Sequence, residues 1–185
     1  MKIRRMRDED MPRLLELSPA NEGGPAAGSP SEKNPIDFDV FPTIVAVADL
    51  TIARKMLANN EVPLDHLSSD GLVVGYAQFS LGPDKVLHSQ AIRVSRKFKN
   101  QGIGEMLCQE RARLGRAAGA IYHLYGVHPE GEIALQKILL KLGMHLCGKF
   151  PNMWLYAQDL NEVEELGYDE PEWHEDNERE AIGGI

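Results

Sequence analysis

A basic turn that contains two glycines, residues 96–104 (Arg-Lys-Phe-Lys-Asn-Gln-Gly-Ile-Gly), has the residue types needed to bind an anion. A strand-like run, Val86 to Val94, precedes the turn, and a helix-like run, Glu105 to Ala118, follows it. Glycines let the backbone approach a ligand without a Cβ in the way. The first amides of a helix have no partner within the helix and lie at the positive end of its dipole. This combination favours a phosphate as the ligand.

The turn does not match the better-known nucleotide-binding motifs. No Gly-Lys-Ser/Thr sequence closes it, as in a P-loop, and the third glycine of a dinucleotide fingerprint is missing. Taken alone, the segment is equally consistent with an ordinary strand-to-helix connection whose glycines only shape the turn. Its place in the fold therefore has to decide between these interpretations.

Composition indicates one globular domain, residues 1–159, followed by an acidic tail, residues 160–185. The chain has a net charge of −8, but residues 161–185 alone carry ten acidic residues and one arginine, which leaves the body at +1. Such a body lacks the basic surface of a nucleic-acid binder, and no apolar run is long enough to span a bilayer. The two cysteines, Cys108 and Cys147, suggest neither a disulfide framework nor a metal site, and we expect a cytoplasmic protein.

The N-terminal half predicts one edge strand, two helices and a short strand. In order, these are a strand over 2–6, a helix that starts at the acidic residues 8–10 and ends near 17, a loop over 21–35, a helix over 42–57 and a strand over 62–67. The second helix rests on a roughly helical spacing of apolar residues, although the β-branched residues Thr43 to Val45 weaken its first turn.

The C-terminal half predicts most of a sheet. Turn signals at 68–71 and 82–85 separate the strand over 62–67 from strands over 72–81 and 86–94, and the three strands form an antiparallel meander. After the basic turn and its helix come a strand over 120–127, a helix that opens at 129–132 and ends at Gly143, and a hairpin of 144–150 with 153–157. We therefore expect a mixed α/β fold with a mostly antiparallel central sheet flanked by helices.

This order of elements, together with the turn, resembles the GNAT superfamily of acetyl-CoA-dependent N-acetyltransferases over about residues 2–158. The family signature is Gln or Arg, two residues, Gly, any residue, then Gly or Ala, and it corresponds here to residues 99–104. Residues 141–144 (Lys-Leu-Gly-Met) also resemble the family's Lys-x-Gly-Phe. The resemblance implies acetyl-CoA as the cofactor and a primary amine as the substrate, but it does not choose between a small amine, a protein N-terminus and a lysine.

The resemblance also implies which residues bind the cofactor. The backbone of the preceding strand would bind the pantetheine arm, the amides from Gln101 to Glu105 would bind the pyrophosphate, and basic side chains of the turn would add charge or form a solvated face. The expected cofactor-binding residues are Ile92, Arg93, Val94, Lys99, Asn100, Gln101, Gly102, Ile103, Gly104 and Glu105.

Three positions depart from the family pattern. Lys99 keeps a positive charge but lacks the planar fork of arginine. Leu139 stands where many members carry the tyrosine that protonates the departing thiolate, and Gly131 stands where an asparagine often contacts the cofactor. Two functions therefore stay open: an active N-acetyltransferase, or a catalytically impaired module that acts as a structural or partner-binding protein.

His88 and Tyr125 are the candidate catalytic residues. His88 lies fourteen residues before Gly102, where the histone-acetyltransferase branch places its base. The period of two predicts that it shares a strand face with Ile92 and Val94, and an imidazole is a side chain suited to proton removal at neutral pH. Tyr125 is the preferred candidate acid in place of the missing tyrosine, with Tyr122 and His128 as alternatives. The alternatives are a half-exposed structural histidine and a core tyrosine.

Cys108 is expected to be a packed small hydrophobe rather than a nucleophile. The acidic tail is either a solvated extension or a segment that binds a basic partner. The oligomeric state stays open, with a homodimer as one alternative.

Overall fold

The computed structural model describes residues 1–17, 41–59, 62–129 and 133–161. The described strands are β1 (Lys2–Arg5), β2 (Thr43–Ala48), β3 (Leu67–Ser68), β4 (Gly71–Leu81), β5 (Val86–Val94), β6 (Tyr122–Val127), β7 (His145–Phe150) and β8 (Met153–Asp159). The described α-helices are α1 (Met11–Leu17), α2 (Leu50–Ala58), α3 (Ile103–Ala117) and α4 (Ile133–Lys141). The strands form one sheet in the order β1-β2-β4-β5-β6-β8-β7, with β3 paired to β4.

Among the described strands, only β5 and β6 pair in parallel, and the other neighbouring strands are antiparallel. The predicted mixed α/β fold with a mostly antiparallel sheet is therefore confirmed. The meander of β4 and β5, the helix after the basic turn and the closing hairpin of β7 and β8 also form as predicted. Gly143 ends α4 in the left-handed conformation at φ 79°, as expected for a helix cap.

Helices cover both faces of the sheet. Ala53 of α2 and Leu107 of α3 pack against alternate residues of β2 and β4 on one face. Leu139 of α4 extends this layer through a second cluster, which includes Cys108 of α3. On the opposite face, Leu14 and Leu17 of α1 pack against the remaining residues of β2 and β4. These two faces are called the α3 face and the α1 face below.

The predicted helix over 42–57 is wrong in its first half, because Thr43 to Ala48 form strand β2, which lies between β1 and β4. Every residue of this strand is buried, since α1 covers one face and α2 and α3 cover the other. A strand buried on both faces loses its apolar alternation and can be mistaken for helix. Asp49 separates the two elements, because its carboxylate accepts hydrogen bonds from the backbone of Thr51 and Ile52 and begins α2.

Other boundaries differ by smaller amounts. The predicted strand over 62–67 is a single 3₁₀ turn, Leu64–His66, followed by the two-residue β3. The basic-turn helix begins at Ile103 rather than Glu105, and β6 begins at Tyr122 rather than 120. The loop over 21–35, Gly131 and nearly all of the acidic tail lie outside the described residues.

Candidate active site

A V-shaped cleft opens in the sheet between β5 and β6. The two strands pair from Val86 with Tyr122 to Ser89 with Tyr125. Both strands continue past this last pair without pairing to each other, so they diverge. The edge of β5 from Gln90 to Val94 consequently faces the cleft, and an unpaired strand edge is suited to bind an extended ligand through its backbone. The Ser89–Tyr125 pair forms the closed end.

A β-bulge at Gln90 decides which side chains of β5 face which helix. Gln78 of β4 lies opposite Ala91 and Phe79 lies opposite Ser89, so Gln90 is an extra residue in β5. Ala91 packs in the α1-face cluster, whereas Ile92 packs in the α3-face cluster. The bulge therefore shifts by one residue the alternation of β5 side chains between the two faces of the sheet, at the closed end of the cleft.

His88 and Ser89 are the residues whose placement depends most on this bulge. Directly opposite residues share a face, and His88 lies opposite Ser80 while Ser89 lies opposite Phe79 of the α3-face core. The prediction that His88 shares the face of Ile92 and Val94 is therefore wrong. His88 faces the α1 side of the sheet, and Ser89 takes the α3 side.

The basic turn follows the open edge of β5 directly. Phe98 is buried in the core and anchors the turn, whereas Lys99 and Gln101 are exposed. Asn100 and Gly102 adopt left-handed backbone conformations at φ 62° and 78°. The first helical hydrogen bond of α3 runs from the amide of Met106 to the carbonyl of Gly102. The amides that precede Met106 have no acceptor within the helix and are available to an anion.

The two glycines of the signature differ in their surroundings. A Cβ on Gly102 would meet no atom within 4 Å, so this position needs glycine for its backbone conformation rather than for lack of space. A Cβ on Gly104 would lie 3.4 Å from Ile138 Cδ1, which is an ordinary contact. Gly102 is thus the more restrictive position of the pair.

Two of the predicted cofactor-binding residues have side chains that are already engaged. The Glu105 carboxylate forms a salt bridge with Lys141 Nζ at 2.7 Å and ties α3 to α4, so Glu105 offers its amide to a ligand. The Arg93 guanidinium donates a hydrogen bond to the Ile92 carbonyl at 2.9 Å. A ligand on this edge has to share or displace that hydrogen bond.

The α3 face of the closed end combines apolar packing with buried polar groups. Leu139 is fully buried beside Tyr125 and Cys108 in one cluster, and Tyr125 is 4% exposed. Burial raises the pKa of the Cys108 thiol, which therefore stays protonated at neutral pH. Cys108 is a packed thiol, as the sequence predicts, and not a nucleophile.

Arg111, a residue that the sequence analysis missed, lies under the closed end of the cleft. Its side chain is fully buried, and its guanidinium carbon lies 4.6 Å from the centre of the Tyr125 ring. Its hydrogen bonds are long, with 3.5 Å to the Gln78 carbonyl and 3.6 Å to Cys108 Sγ, and its Nε makes none with the described residues. No carboxylate in the described part of the chain pairs with it. Burying such a charge costs several kcal/mol.

His123, the second missed residue, contacts β5 and feels the charge of Arg111. His123 is 2% exposed, and its Nε2 lies 2.8 Å from Ser89 Oγ. Burial and the nearby charge of Arg111 hold the pKa of His123 well below its usual value, so the imidazole is neutral at pH 7. The sequence contains one signal that could have pointed to Arg111. This arginine lies in the apolar face of α3, four residues from both Leu107 and Gly115.

Neither a metal site nor a membrane span accompanies this cleft in the described residues. No group of three or more His, Cys, Asp or Glu side chains is arranged there to hold a metal ion. None of the described helices has the length and apolar character that crossing a membrane requires.

Comparison with known proteins identifies the fold. The sequence profile of the Acetyltransferase (GNAT) family matches residues 38–144. An N-acetyltransferase from Staphylococcus aureus Mu50 has 19% sequence identity and a TM-score of 0.61, and the match covers 86% of this chain and 98% of that chain. The ribosomal-protein-alanine N-acetyltransferase from Brucella melitensis has 20% identity and a TM-score of 0.60, with 86% and 99% covered.

A further structure was solved with a ligand. The putative acetyltransferase yncA from Salmonella typhimurium, with its cofactor acetyl-CoA, has 16% identity and a TM-score of 0.61, with 91% and 98% of the two chains covered. No curated protein sequence matches this chain.

Proposed function

Because this chain belongs to the Acetyltransferase (GNAT) family, we propose that it transfers an acetyl group from acetyl-CoA to a primary amine by direct attack. The observation that carries the proposal is the continuity of two ligand-binding features. The open edge of β5, Gln90 to Val94, leads directly into the left-handed turn at Gly102 and the free amides of α3. One extended ligand with a phosphate at its far end suits both features.

The residues of the cleft fit this cofactor by type and by exposure. The backbone of Ile92, Arg93 and Val94 would hold the pantetheine arm. The amides from Gln101 to Glu105 would hold the pyrophosphate, with Lys99 and Asn100 beside them. Acetyl-CoA, when bound, supplies the acetyl group as an activated thioester, and the protein supplies position and proton transfer.

We propose His88 as the base and Tyr125 as a contributor to release of the thiol. His88 lies beside Leu124 and Ser89 lies beside Tyr125 in the parallel pairing, so the two candidates flank the closed end of the cleft from opposite faces. His88 is partly exposed, as a group that exchanges protons with a substrate must be. Tyr125 is buried, so its role is restricted to the interior side of the cleft.

The test combines binding with turnover. Coenzyme A and acetyl-CoA are expected to raise the melting temperature, and thiol release is then followed over a panel of small amines, peptide N-termini and lysine peptides. A Cys147→Ser variant is used throughout, because this exposed thiol would otherwise react with thiol reagents. The absence of any thermal shift at saturating acetyl-CoA would refute the proposal.

His88→Gln tests the proposed base. We expect it to lower kcat by about 10²-fold or more at neutral pH while the melting shift with acetyl-CoA is kept. Ser80→Ala is the matched control, because Ser80 lies directly opposite His88 on the neighbouring strand. Equal activity of His88→Gln and Ser80→Ala would assign His88 a structural role.

Leu139 favours a second candidate function, a catalytically impaired module that binds a partner. An apolar, fully buried side chain at this position supplies no proton to a leaving group. Binding of acetyl-CoA without turnover on any amine would support this function. Light scattering tests the further proposal of a homodimer. Deletion of residues 162–185, which keeps the buried Leu160 in place, tests whether the acidic tail binds a basic partner. A cytoplasmic location is proposed on the two free cysteines.

A further inference from the structure

We propose that the closed end of the cleft, on the α3 face, is a thiolate-stabilising pocket in which Ser89 donates a hydrogen bond to the sulfur of coenzyme A and Arg111 supplies the positive charge. The inference rests on the proposed function, because it assumes that coenzyme A lies along β5. It assigns the chemistry of thiol release to residues other than the missing tyrosine at position 139. The charge that the pocket stabilises is the electron pair left on sulfur when the C–S bond breaks. The proton lost by the amine goes to the base.

The position of Ser89 in β5 supports this pocket. Ser89 is the last residue of β5 that pairs with β6, and it immediately precedes the bulge from which the open edge runs. Its side chain lies on the α3 face, where its Oγ is 2.8 Å from Nε2 of His123. A ligand that follows the open edge of β5 toward the closed end meets Ser89 there.

The positive charge of Arg111 also supports this pocket. Arg111 carries a guanidinium with five donors, but its contacts are two long hydrogen bonds and the face of the Tyr125 ring. All of these contacts are with neutral groups, one of them the Gln78 carbonyl on the strand opposite the bulge. The positive charge at this end of the cleft is therefore not neutralised locally, and a low-dielectric surrounding strengthens its effect on a developing anion.

The hydrogen bond with His123 orients the Ser89 hydroxyl toward the cleft. His123 is neutral, so only one of its ring nitrogens carries a proton, and its Nδ1 has no partner among the described residues. A buried lone pair without a partner is tolerated more readily than a buried N–H without one, and nearby Arg111 favours a lone pair. The proton therefore belongs on Nε2, which donates to Ser89 Oγ. The Ser89 hydroxyl hydrogen is then available to a ligand in the cleft.

The neighbouring groups do not supply a competing charge. The titratable side chains around the pocket are Cys108 and Arg111 of α3, His123 and Tyr125 of β6, and Tyr156 of β8 opposite Tyr125. Glu105 acts on Cys108 from one turn away, and its carboxylate is bound by Lys141. The facing side of α4 contributes Leu135, Ile138 and Leu139, which are apolar.

The experiment measures the pKa of the coenzyme A thiol on the protein, which requires no acceptor amine. Binding of coenzyme A and of desulfo-coenzyme A, which lacks the thiol, is compared by calorimetry from about pH 7 to pH 9, the range in which a free thiol titrates. Thiolate absorbance in the ultraviolet gives an independent reading. We expect the bound thiol to have a lower pKa than the free thiol, so that coenzyme A is bound preferentially as the thiolate.

Ser89→Ala and Arg111→Met should each raise the pKa of the bound thiol toward that of the free thiol, and a change of one unit is a tenfold change in the ratio of thiolate to thiol. Ser80→Ala removes a serine hydroxyl on the other face and should leave this pKa unchanged. Desulfo-coenzyme A should bind all four proteins alike. A bound thiol that titrates like the free one would overturn the pocket while leaving the proposed function intact. If neither ligand binds, both proposals fail.

Discussion

Two glycines at the ends of α3 allow the anion-binding turn to be tested with a matched pair of substitutions. Gly102 precedes the helix and Gly119 follows it, and both adopt left-handed conformations, at φ 78° and 88°. A Cβ on either residue would meet nothing within 4 Å. Alanine therefore changes only the backbone energy at each position, and only Gly102 adjoins the free amides.

The cost in stability is expected to be similar for both alanine variants. A left-handed conformation costs a residue with a Cβ roughly 1–2 kcal/mol. The smaller conformational entropy of alanine in the unfolded chain offsets about 0.4–1 kcal/mol of this. The net loss is about 1 kcal/mol for each variant, which lowers the melting temperature of a protein of this size by about 2–4 °C.

The effect of coenzyme A is expected to separate the two variants. At a concentration of about 100 times Kd, a ligand stabilises the native state by about 2.7 kcal/mol. If the new methyl group of Gly102→Ala keeps the phosphate from the amides and weakens binding tenfold, the same concentration stabilises by only about 1.4 kcal/mol. Gly119→Ala should keep the full value.

The assay is thermal unfolding of the wild type and both variants with and without coenzyme A, supported by calorimetric Kd values. Gly104→Ala is an additional control, because its Cβ would make an ordinary contact with Ile138. The expected result is equal melting temperatures for Gly102→Ala and Gly119→Ala without ligand, and about half the ligand-induced shift for Gly102→Ala. Equal shifts for both variants would show that the turn does not bind the phosphate.

Three further predictions concern stability. Burial opposes ionisation of Asp70, but hydrogen bonds from Arg4 and Lys2 outweigh this effect and hold the pKa of Asp70 well below its usual value. Asp70→Asn should therefore lower the free energy of unfolding by about 2–3 kcal/mol at pH 7. This deficit should shrink below about pH 4 in urea unfolding, because the carboxylate contributes only where it is ionised. The neutral His123 should make the protein less stable as the pH falls below about 6.5, and His123→Gln should flatten this slope in the same assay. Leu139→Ala should cost about 2–5 kcal/mol, since the side chain is fully buried, and a loss below about 1 kcal/mol would contradict the packing.

Features set by local residue chemistry were predictable from the sequence. The glycine-containing turn after β5, the left-handed cap at Gly143 and the meander turns depend on residues within a few positions of one another. β2 was not predictable in this way, because burial by helices on both faces removes the alternation that identifies a strand. Its neighbours in space, rather than its neighbours in sequence, determine its structure.

In the candidate site, too, features that depend on neighbouring residues in the sequence were predictable, whereas contacts between distant segments were not. The open edge of β5 and the turn are contiguous in the chain, so the residues predicted to bind the cofactor lie close together. The bulge at Gln90 carries no glycine or proline that would reveal it, and it reverses the faces of His88 and Ser89. The contact of Ser89 with His123 joins residues 34 positions apart and depends on the parallel pairing of β5 with β6.

Arg111 offers a way to separate function from stability at this site. An unpaired buried charge costs free energy, so an apolar side chain of similar length should make the fold more stable rather than less. Arg111→Met is therefore expected to melt above the wild type without ligand and to lose the preference for the coenzyme A thiolate. A cation with no role in the chemistry would show the gain in stability but no change in the thiolate preference. Both changes together would mean that the charge serves the chemistry of the cleft at a cost in stability.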